Sequence, residues 1–212
     1  MAHGNMRVLN AIERGAAIDM TELKPNRVGV SLKGSAVLET VQAIKARSGD
    51  EGYEKIVGTL DDDARTMFRR VILPTAWYPL DAFVRFLEAD LRESAGGNER
   101  VLIERSEIVI DRQLRGIYRL FVKFGSPEFV LKRISIVHMT YFNGVNIEIN
   151  LKPGRAVIRY TGFEPQHRLM GYSIIGFYRK ALEISGAKGV QVSFATPIGD
   201  SKGYAELVAT WS

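Results

Sequence analysis

The 212-residue sequence contains no cysteine and only three histidines, His3, His138 and His167. The lack of cysteine excludes disulfide bonds, cysteine-ligated zinc, iron–sulfur clusters and thiol nucleophiles. No hydrophobic run is long enough to span a bilayer, and the first residues lack a cationic leader followed by an apolar core. We therefore expect a cytoplasmic protein that has no membrane span, no metal site and no resident cofactor.

The composition that remains is typical of a globular protein, with 46% hydrophobic and 25% charged residues. A chain of this length buries about 70% of its unfolded surface in one core. We predict an N-terminal arm over residues 1–33, with a short helix near residues 6–14, followed by one domain over residues 34–212. Within that domain the helical part covers residues 34–142 and the sheet part covers residues 143–212.

Positive charge is concentrated in the second half of the chain, where residues 101–212 hold 15 Lys and Arg against 9 Asp and Glu. Part of it forms one stripe of a predicted helix, made of Arg112, Arg115, Arg119 and Lys123. Such a stripe is either a solvated helix face or a surface for an acidic protein partner. No aromatic residues interrupt the stripe, so the sequence does not favour nucleic acid as a partner.

Apolar residues at three-to-four spacing predict helices over most of residues 34–142. Gly49-Asp50 ends the first helix, and the acidic triplet 61–63 is predicted to cap the start of another helix. Two prolines bracket Trp77 and Tyr78 in a rigid corner, after which a helix runs to Gly96-Gly97. A long helical stretch covers residues 98–124, and Ser126-Pro127 restarts a helix that reaches about residue 142.

The hydrophobic period then changes from helical to alternating, which is typical of strands with one buried face. Residues 145–151 and 156–162 form one predicted hairpin, and residues 190–194 and 205–211 form a second. A helix centred on residues 174–184 separates the two hairpins. The sequence therefore predicts an α+β fold, in which an N-terminal helical layer packs on an antiparallel sheet built as hairpin–helix–hairpin.

Three segments carry a resemblance to a known family: ILPTAWYP at residues 72–79, FGSP at 124–127, and the tail from Gly162 to Trp211 with IGF at 175–177. Together they resemble an uncharacterised bacterial family that is abundant in myxobacteria. The order of elements is similar to a broader fold group containing haem nitric-oxide/oxygen-binding domains, 4-vinyl reductase ligand-binding domains and vesicle-tethering TRAPP subunits. In that group the space between helices and sheet holds haem, a small molecule or an acyl chain.

His138 is the residue that bears most directly on the hypothesis of a haem ligand. The resemblance implies an iron-ligating histidine on a helix before the sheet, and His138 occupies such a helix. It also implies a Tyr-x-Ser-x-Arg pattern on the second strand for the haem propionates. Here that strand reads Tyr160-Thr161-Gly162-Phe163-Glu164, and the carboxylate of Glu164 would repel a propionate. We therefore expect His138 and Tyr160 to line a pocket for another ligand or to belong to the core.

Two further places are candidate ligand contacts. Trp77 and Tyr78 either anchor the proline corner in the core or line the mouth of a pocket with their aromatic rings. Arg168 lies at a predicted helix start after a polar loop, where an anion would be favoured.

The sequence contains no nucleophile elbow, phosphate-binding loop or dinucleotide-binding glycine pattern, so we do not predict an enzyme. The main hypothesis is a cytoplasmic regulatory or signalling domain that holds a small apolar ligand between helices and sheet. The alternative is a protein-interaction scaffold with a filled interior, which would use the basic stripe. A homodimer formed through an open sheet edge, such as the last strand, agrees with either hypothesis. A third and less favoured hypothesis is a haem-based sensor.

Overall fold

The computed structural model describes residues 29–114 and 126–212. The helix that we predict near residues 6–14 lies outside these described residues. Residues 31–33, which the prediction assigns to the end of the arm, form a strand that is paired on both sides.

Six α-helices occupy the described ranges, and their residues are as follows: α1 (Gly34–Gly58), α2 (Asp62–Arg69), α3 (Leu80–Ala95), α4 (Val101–Leu114), α5 (Pro127–Tyr141) and α6 (Met170–Ile184). A kink divides α1 at Gly49, whose backbone is not helical (φ 70°, ψ 178°). This is the place where the sequence predicts the first helix to end. The part of the predicted 98–124 helix that follows Leu114 falls among residues 115–125, outside the described ranges.

Two predicted helix starts are confirmed in their hydrogen bonds. The Asp61 carboxylate accepts a bond from the backbone N–H of Ala64 at 2.9 Å and caps α2. The Ser126 hydroxyl accepts a bond from the backbone N–H of Phe129 at 3.3 Å and caps α5, with Pro127 as the first helical residue. Both side chains satisfy a backbone donor that has no partner within the helix.

The helical half also contains a small antiparallel sheet of three strands, β1 (Ser31–Lys33), β2 (Trp77–Pro79) and β3 (Phe142–Asn143), in the order β2-β1-β3. The sequence predicts a corner at residues 77–79 and no strand in this half. That prediction is incomplete, because Tyr78 precedes a proline and is held in the extended conformation that a strand requires. This small sheet joins the start of α1, the start of α3 and the end of α5.

The larger sheet has four antiparallel strands, β4 (Asn146–Lys152), β5 (Arg155–Thr161), β6 (Gln191–Thr196) and β7 (Tyr204–Thr210), in the order β4-β5-β7-β6. Helix α6 packs on one face of it, where Ile158, Tyr160 and Leu207 are buried. The α+β fold and its hairpin–helix–hairpin order are therefore as predicted.

The last strand is not a free edge, contrary to the prediction for a homodimer. β7 lies between β5 and β6, and the two edges of this sheet are β4 and β6. The second strand of the hairpin β6–β7 pairs with β5. Both edges of β7 are therefore occupied by backbone hydrogen bonds, one to β5 and the other to β6.

Across residues 29–114 and 126–212, no helix combines the length and the apolarity needed to cross a membrane.

Candidate ligand-binding cavity

A cavity of about 380 Å³ lies among the helices. Helices α1, α3, α4, α5 and α6 contribute most of its lining, together with Leu32 from β1 and Phe142 from β3. Its described lining includes no residue of the four-stranded sheet, because α6 lies between that sheet and the cavity. The predicted position between helices and sheet is therefore corrected to a position among the helices. The alternative prediction of a filled interior also disagrees with this cavity.

His138 contributes to the wall of the cavity from α5. Its side chain is buried, and its ring packs against Phe142, Phe177 and Tyr178, with centroid distances of 5.7, 4.5 and 5.3 Å. Burial lowers the pKa of His138 to about 3. The imidazole is therefore neutral at physiological pH, which suits a largely apolar wall.

Behind His138, two buried tyrosines complete a short hydrogen-bonded chain. The Tyr160 hydroxyl lies 3.3 Å from Nδ1 of His138 and donates to the Tyr178 hydroxyl at 3.0 Å. Burial raises the pKa of both tyrosines, so both hydroxyls stay protonated. The Tyr160 hydroxyl therefore links the imidazole of His138 to the hydroxyl of Tyr178.

An ionic cluster formed by the buried carboxylate of Asp90 with Arg47 and Arg105 lies on one side of the cavity. The side chain of Asp90 is 1% exposed, and its two oxygens accept bonds from Arg47 Nη2 and Arg105 Nη1, each at 2.5 Å. Arg105 also donates to the Ser94 hydroxyl at 2.9 Å. The carboxylate fixes both guanidinium groups in place, as a buried charge requires.

The mouth of the cavity lies along α4. Ile108 and Arg112 both belong to the lining and are both exposed to solvent, with Ile108 at 52%. Arg105, Ile108 and Arg112 follow one another at three- and four-residue spacing, so they share one face of the helix. The mouth therefore presents an apolar side chain between two cationic ones.

The predicted ligand contacts at the proline corner do not reach this cavity. Tyr78 is half-buried, and its hydroxyl accepts a bond from the backbone N–H of Leu73 at 2.8 Å, which closes the corner. Trp77 is also half-buried, and the ammonium of Lys33 lies 4.6 Å from the centre of its ring. Neither residue lines the cavity, so a molecule bound there would not touch them.

Arg168 is also outside the cavity lining. It lies in a 3₁₀ helix (Pro165–Leu169), and its guanidinium pairs with Glu99 at 2.6 Å. The neighbouring His167 is buried and contacts an Asp81 oxygen through Nε2 at 2.7 Å. These two contacts fix the 3₁₀ helix against the loop before α4 and the start of α3.

Of the predicted site residues, the structure brings His138 and Tyr160 together and adds Arg112 at the mouth of the cavity. Tyr160 stands behind His138 and does not itself line the cavity. The other members of the predicted basic stripe, Arg115, Arg119 and Lys123, lie outside the described residues.

Sequence reasoning missed the Asp90 cluster, although the sequence holds a signal for it. Asp90 lies seven residues after Phe83 and three after Leu87, on the apolar face of α3. A carboxylate inside an apolar stripe needs a cationic partner when the helix packs. The sequence cannot identify those partners, because Arg47 and Arg105 come from two other helices.

No protein-family model matches the chain, and no curated protein matches it in sequence. Solved structures of H-NOX proteins do resemble it in fold. The Fe(II) unliganded H-NOX protein from K. algicida gives a TM-score of 0.63 at 11% identity, covering 85% of this chain and 97% of that one. The Fe(II)NO form of an H-NOX protein from S. oneidensis gives 0.64 at 15% identity, covering 85% and 99%.

An oxygen complex of an H-NOX domain related to soluble guanylate cyclases gives a TM-score of 0.58 at 12% identity, covering 85% of this chain and 95% of that one. At these identities the likeness concerns the fold and leaves the bound molecule open. The predicted similarity to haem nitric-oxide/oxygen-binding domains is thereby confirmed, whereas the similarity to 4-vinyl reductase and TRAPP domains stays a prediction. This chain has the fold of the H-NOX domains.

Proposed function

We propose that this chain is a ligand-binding regulatory domain whose helices hold a small, largely apolar molecule in the cavity beside His138. The observation that carries the proposal is the cavity itself, at about 380 Å³. This volume falls in the range of roughly 300–1,000 Å³ that small-molecule sites occupy. An apolar wall with a few polar groups at one side is the usual composition of such a site.

Packing density supports a functional reason for the space. Protein interiors are filled nearly as densely as organic crystals, and empty volume in a core lowers stability. Elsewhere the same helices pack closely, since a Cβ atom at Gly176 of α6 would meet the Ile103 carbonyl of α4 at 2.3 Å. Close packing beside a cavity favours a space kept for a ligand over a loosely packed core.

The fold suggests haem as one ligand, since similar structures are described as Fe(II), NO and oxygen forms. The residues of this chain do not fit that group. Gly162 stands where the haem-binding pattern has serine, and a Cβ atom there would meet the Gly144 carbonyl at 2.1 Å. Glu164 stands in place of the arginine and accepts a bond from Gln166 at 2.6 Å. The proposed ligand is therefore an apolar molecule other than haem.

A neutral fluorescent probe, Nile red, tests the proposal directly. Titrating the full chain with the dye is expected to give saturable binding and a blue-shifted emission. Ala43→Phe adds a phenyl ring to the cavity lining. It is expected to raise the dissociation constant of the dye at least tenfold.

Ala195→Phe provides the matched control, because it adds the same ring to an exposed position on edge strand β6. Its dissociation constant is expected to equal that of the unmodified chain. Saturable binding that Ala43→Phe leaves unchanged would place the dye elsewhere and contradict the proposal, as would the absence of saturable binding.

A further inference from the structure

We infer that the cavity selects amphiphiles with a carboxylate head, whose apolar chain lies in the cavity while the head contacts arginines at its mouth. This inference rests on the proposed function and specifies the class of ligand. It comes from the placement of charge around the cavity, which the apolar volume alone does not explain.

Cationic side chains outnumber anionic ones in the described lining. Arg47, Arg105 and Arg112 all contribute to it, whereas Asp90 is its only carboxylate. His138 lines the wall as a neutral imidazole. The described lining therefore carries two more positive charges than negative ones, beside a largely apolar volume. This excess of positive charge favours an anion at this place.

The arginines are held ready to bind a second carboxylate. A guanidinium group has five N–H donors, and Asp90 takes one from Arg47 and one from Arg105. Because Asp90 is buried and fixed, the two guanidinium groups keep their positions before any ligand arrives. Pre-organised donors lower the entropy that binding loses, and planar guanidinium groups match the geometry of a carboxylate.

Arg112 and Ile108 suit the point where an amphiphile changes from apolar to charged. Arg105 and Arg112 are seven residues apart, which is about two turns or roughly 10 Å along α4. Ile108 lies between them and is exposed at 52%. The first methylene groups of a chain would contact Ile108, while the head would reach a guanidinium group on either side.

Acidic residues on the neighbouring face of α4 do not cancel this charge. A shallow groove beside the mouth is lined by Glu104, Glu107 and Asp111, together with Arg112 and Lys180. Glu107 pairs with Arg179, and Asp111 lies 3.6 Å from Lys180. Glu107 and Asp111 therefore already have cationic partners from α6.

The protonation of Arg105 agrees with the inference. Burial lowers its pKa, the Asp90 carboxylate raises it, and the positive charge of Arg47 lowers it further. A guanidinium group nevertheless stays protonated at neutral pH, so Arg105 keeps a positive charge for a ligand carboxylate to contact.

Three probes of equal chain length test the head-group preference: dodecanoate, dodecanol and dodecylammonium, each below its micellar concentration. Their dissociation constants are measured on the full chain by displacement of Nile red. Dodecanoate is expected to bind at least tenfold more tightly than dodecanol, and dodecylammonium more weakly than either. Equal affinities for dodecanoate and dodecanol, or tighter binding of dodecylammonium, would overturn the inference.

Two substitutions identify the contacts. Arg112→Gln and Arg47→Gln are each expected to reduce the preference for dodecanoate over dodecanol at least threefold. Arg155→Gln removes one positive charge from an exposed position at the start of β5, and is expected to leave the preference intact. A preference that survives both Arg112→Gln and Arg47→Gln would also overturn the inference.

The two proposals fail in distinguishable ways. If Nile red and dodecanol bind in the cavity but dodecanoate binds no more tightly than dodecanol, only the inference of a carboxylate preference fails. If Ala43→Phe affects neither the dye nor any of the three amphiphiles, the cavity is not the binding site and both proposals fail.

Discussion

The hydroxyl of Tyr160 lies 3.3 Å from Nδ1 of His138, which links strand β5 to helix α5 inside the protein. Tyr160 and Tyr178 together fix one edge of the imidazole, and aromatic rings enclose it. The chain thus keeps a titratable ring in a place where it does not become charged. This arrangement has a measurable consequence for stability at acidic pH.

Replacing His138 with phenylalanine is expected to weaken the acid sensitivity of folding. Burial lowers the pKa of His138 to about 3, whereas in the unfolded chain it is near 6.5. Between these values the unfolded state binds the extra proton, so stability falls as pH decreases. As the pH falls through this window, the free energy of unfolding of the unmodified chain should decrease by up to about 1.4 kcal/mol per pH unit more than that of His138→Phe. Urea unfolding at pH 6.5, 5.5 and 4.5 measures the difference, and parallel curves would contradict the prediction.

Asp90→Asn is expected to destabilise the fold strongly. The Asp90 side chain is 1% exposed and pairs with Arg47 and Arg105, so its loss leaves partly buried guanidinium groups without their counter-ion. Removing one partner of a buried ion pair costs about 3 kcal/mol or more. Asp50→Asn is the control, because Asp50 is 85% exposed and pairs with Lys45 on the surface, where an ion pair contributes at most about 1 kcal/mol. Urea unfolding measures the free energy of unfolding of both variants. Equal decreases for Asp90→Asn and Asp50→Asn would contradict the prediction.

The part of the fold that the sequence predicts well is the part with a clear period. Alternating residues give both hairpins of the larger sheet, because one buried face forces a period of two. Asp61 and Ser126 mark helix starts through local hydrogen bonds that need no distant partner. These features depend on neighbours in sequence, so the sequence contains them.

The features that the sequence does not predict depend on distant partners. Strands β1 and β3 have three and two residues, too few to show any period, and they form only because α1, α3 and α5 bring their ends together. The cavity likewise results from the distances between five helices, which no single segment encodes. For the same reason, Trp77 and Tyr78 could not be assigned to the core or to a pocket from their own residues, and β7 could not be recognised as an inner strand.

Gly176→Ala is expected to disturb the contact between α6 and α4. A Cβ atom at this position would lie 2.3 Å from the Ile103 carbonyl, so one helix must shift, at a cost of about 1–3 kcal/mol. Gly58→Ala is the control, since nothing lies within 4 Å of its Cβ position at the end of α1. That substitution should stabilise the chain by up to about 1 kcal/mol, because alanine loses less backbone entropy. Thermal unfolding compares the two, and a neutral Gly176→Ala would disagree with the close approach.

Tyr78→Phe separates the proline corner from the cavity. It removes the hydroxyl that accepts the Leu73 N–H at 2.8 Å, and a lost hydrogen bond of this kind costs about 1 kcal/mol. Because Tyr78 does not line the cavity, the dissociation constant of Nile red is expected to stay unchanged. Ala43→Phe should show the opposite pattern, with dye binding weakened at least tenfold and thermal stability kept or raised as the ring fills empty space. The dissociation constant of Nile red and the thermal stability are measured on both variants. If Tyr78→Phe weakens dye binding, the proline corner belongs to the ligand site, which is the sequence interpretation that places Tyr78 at the mouth of a pocket.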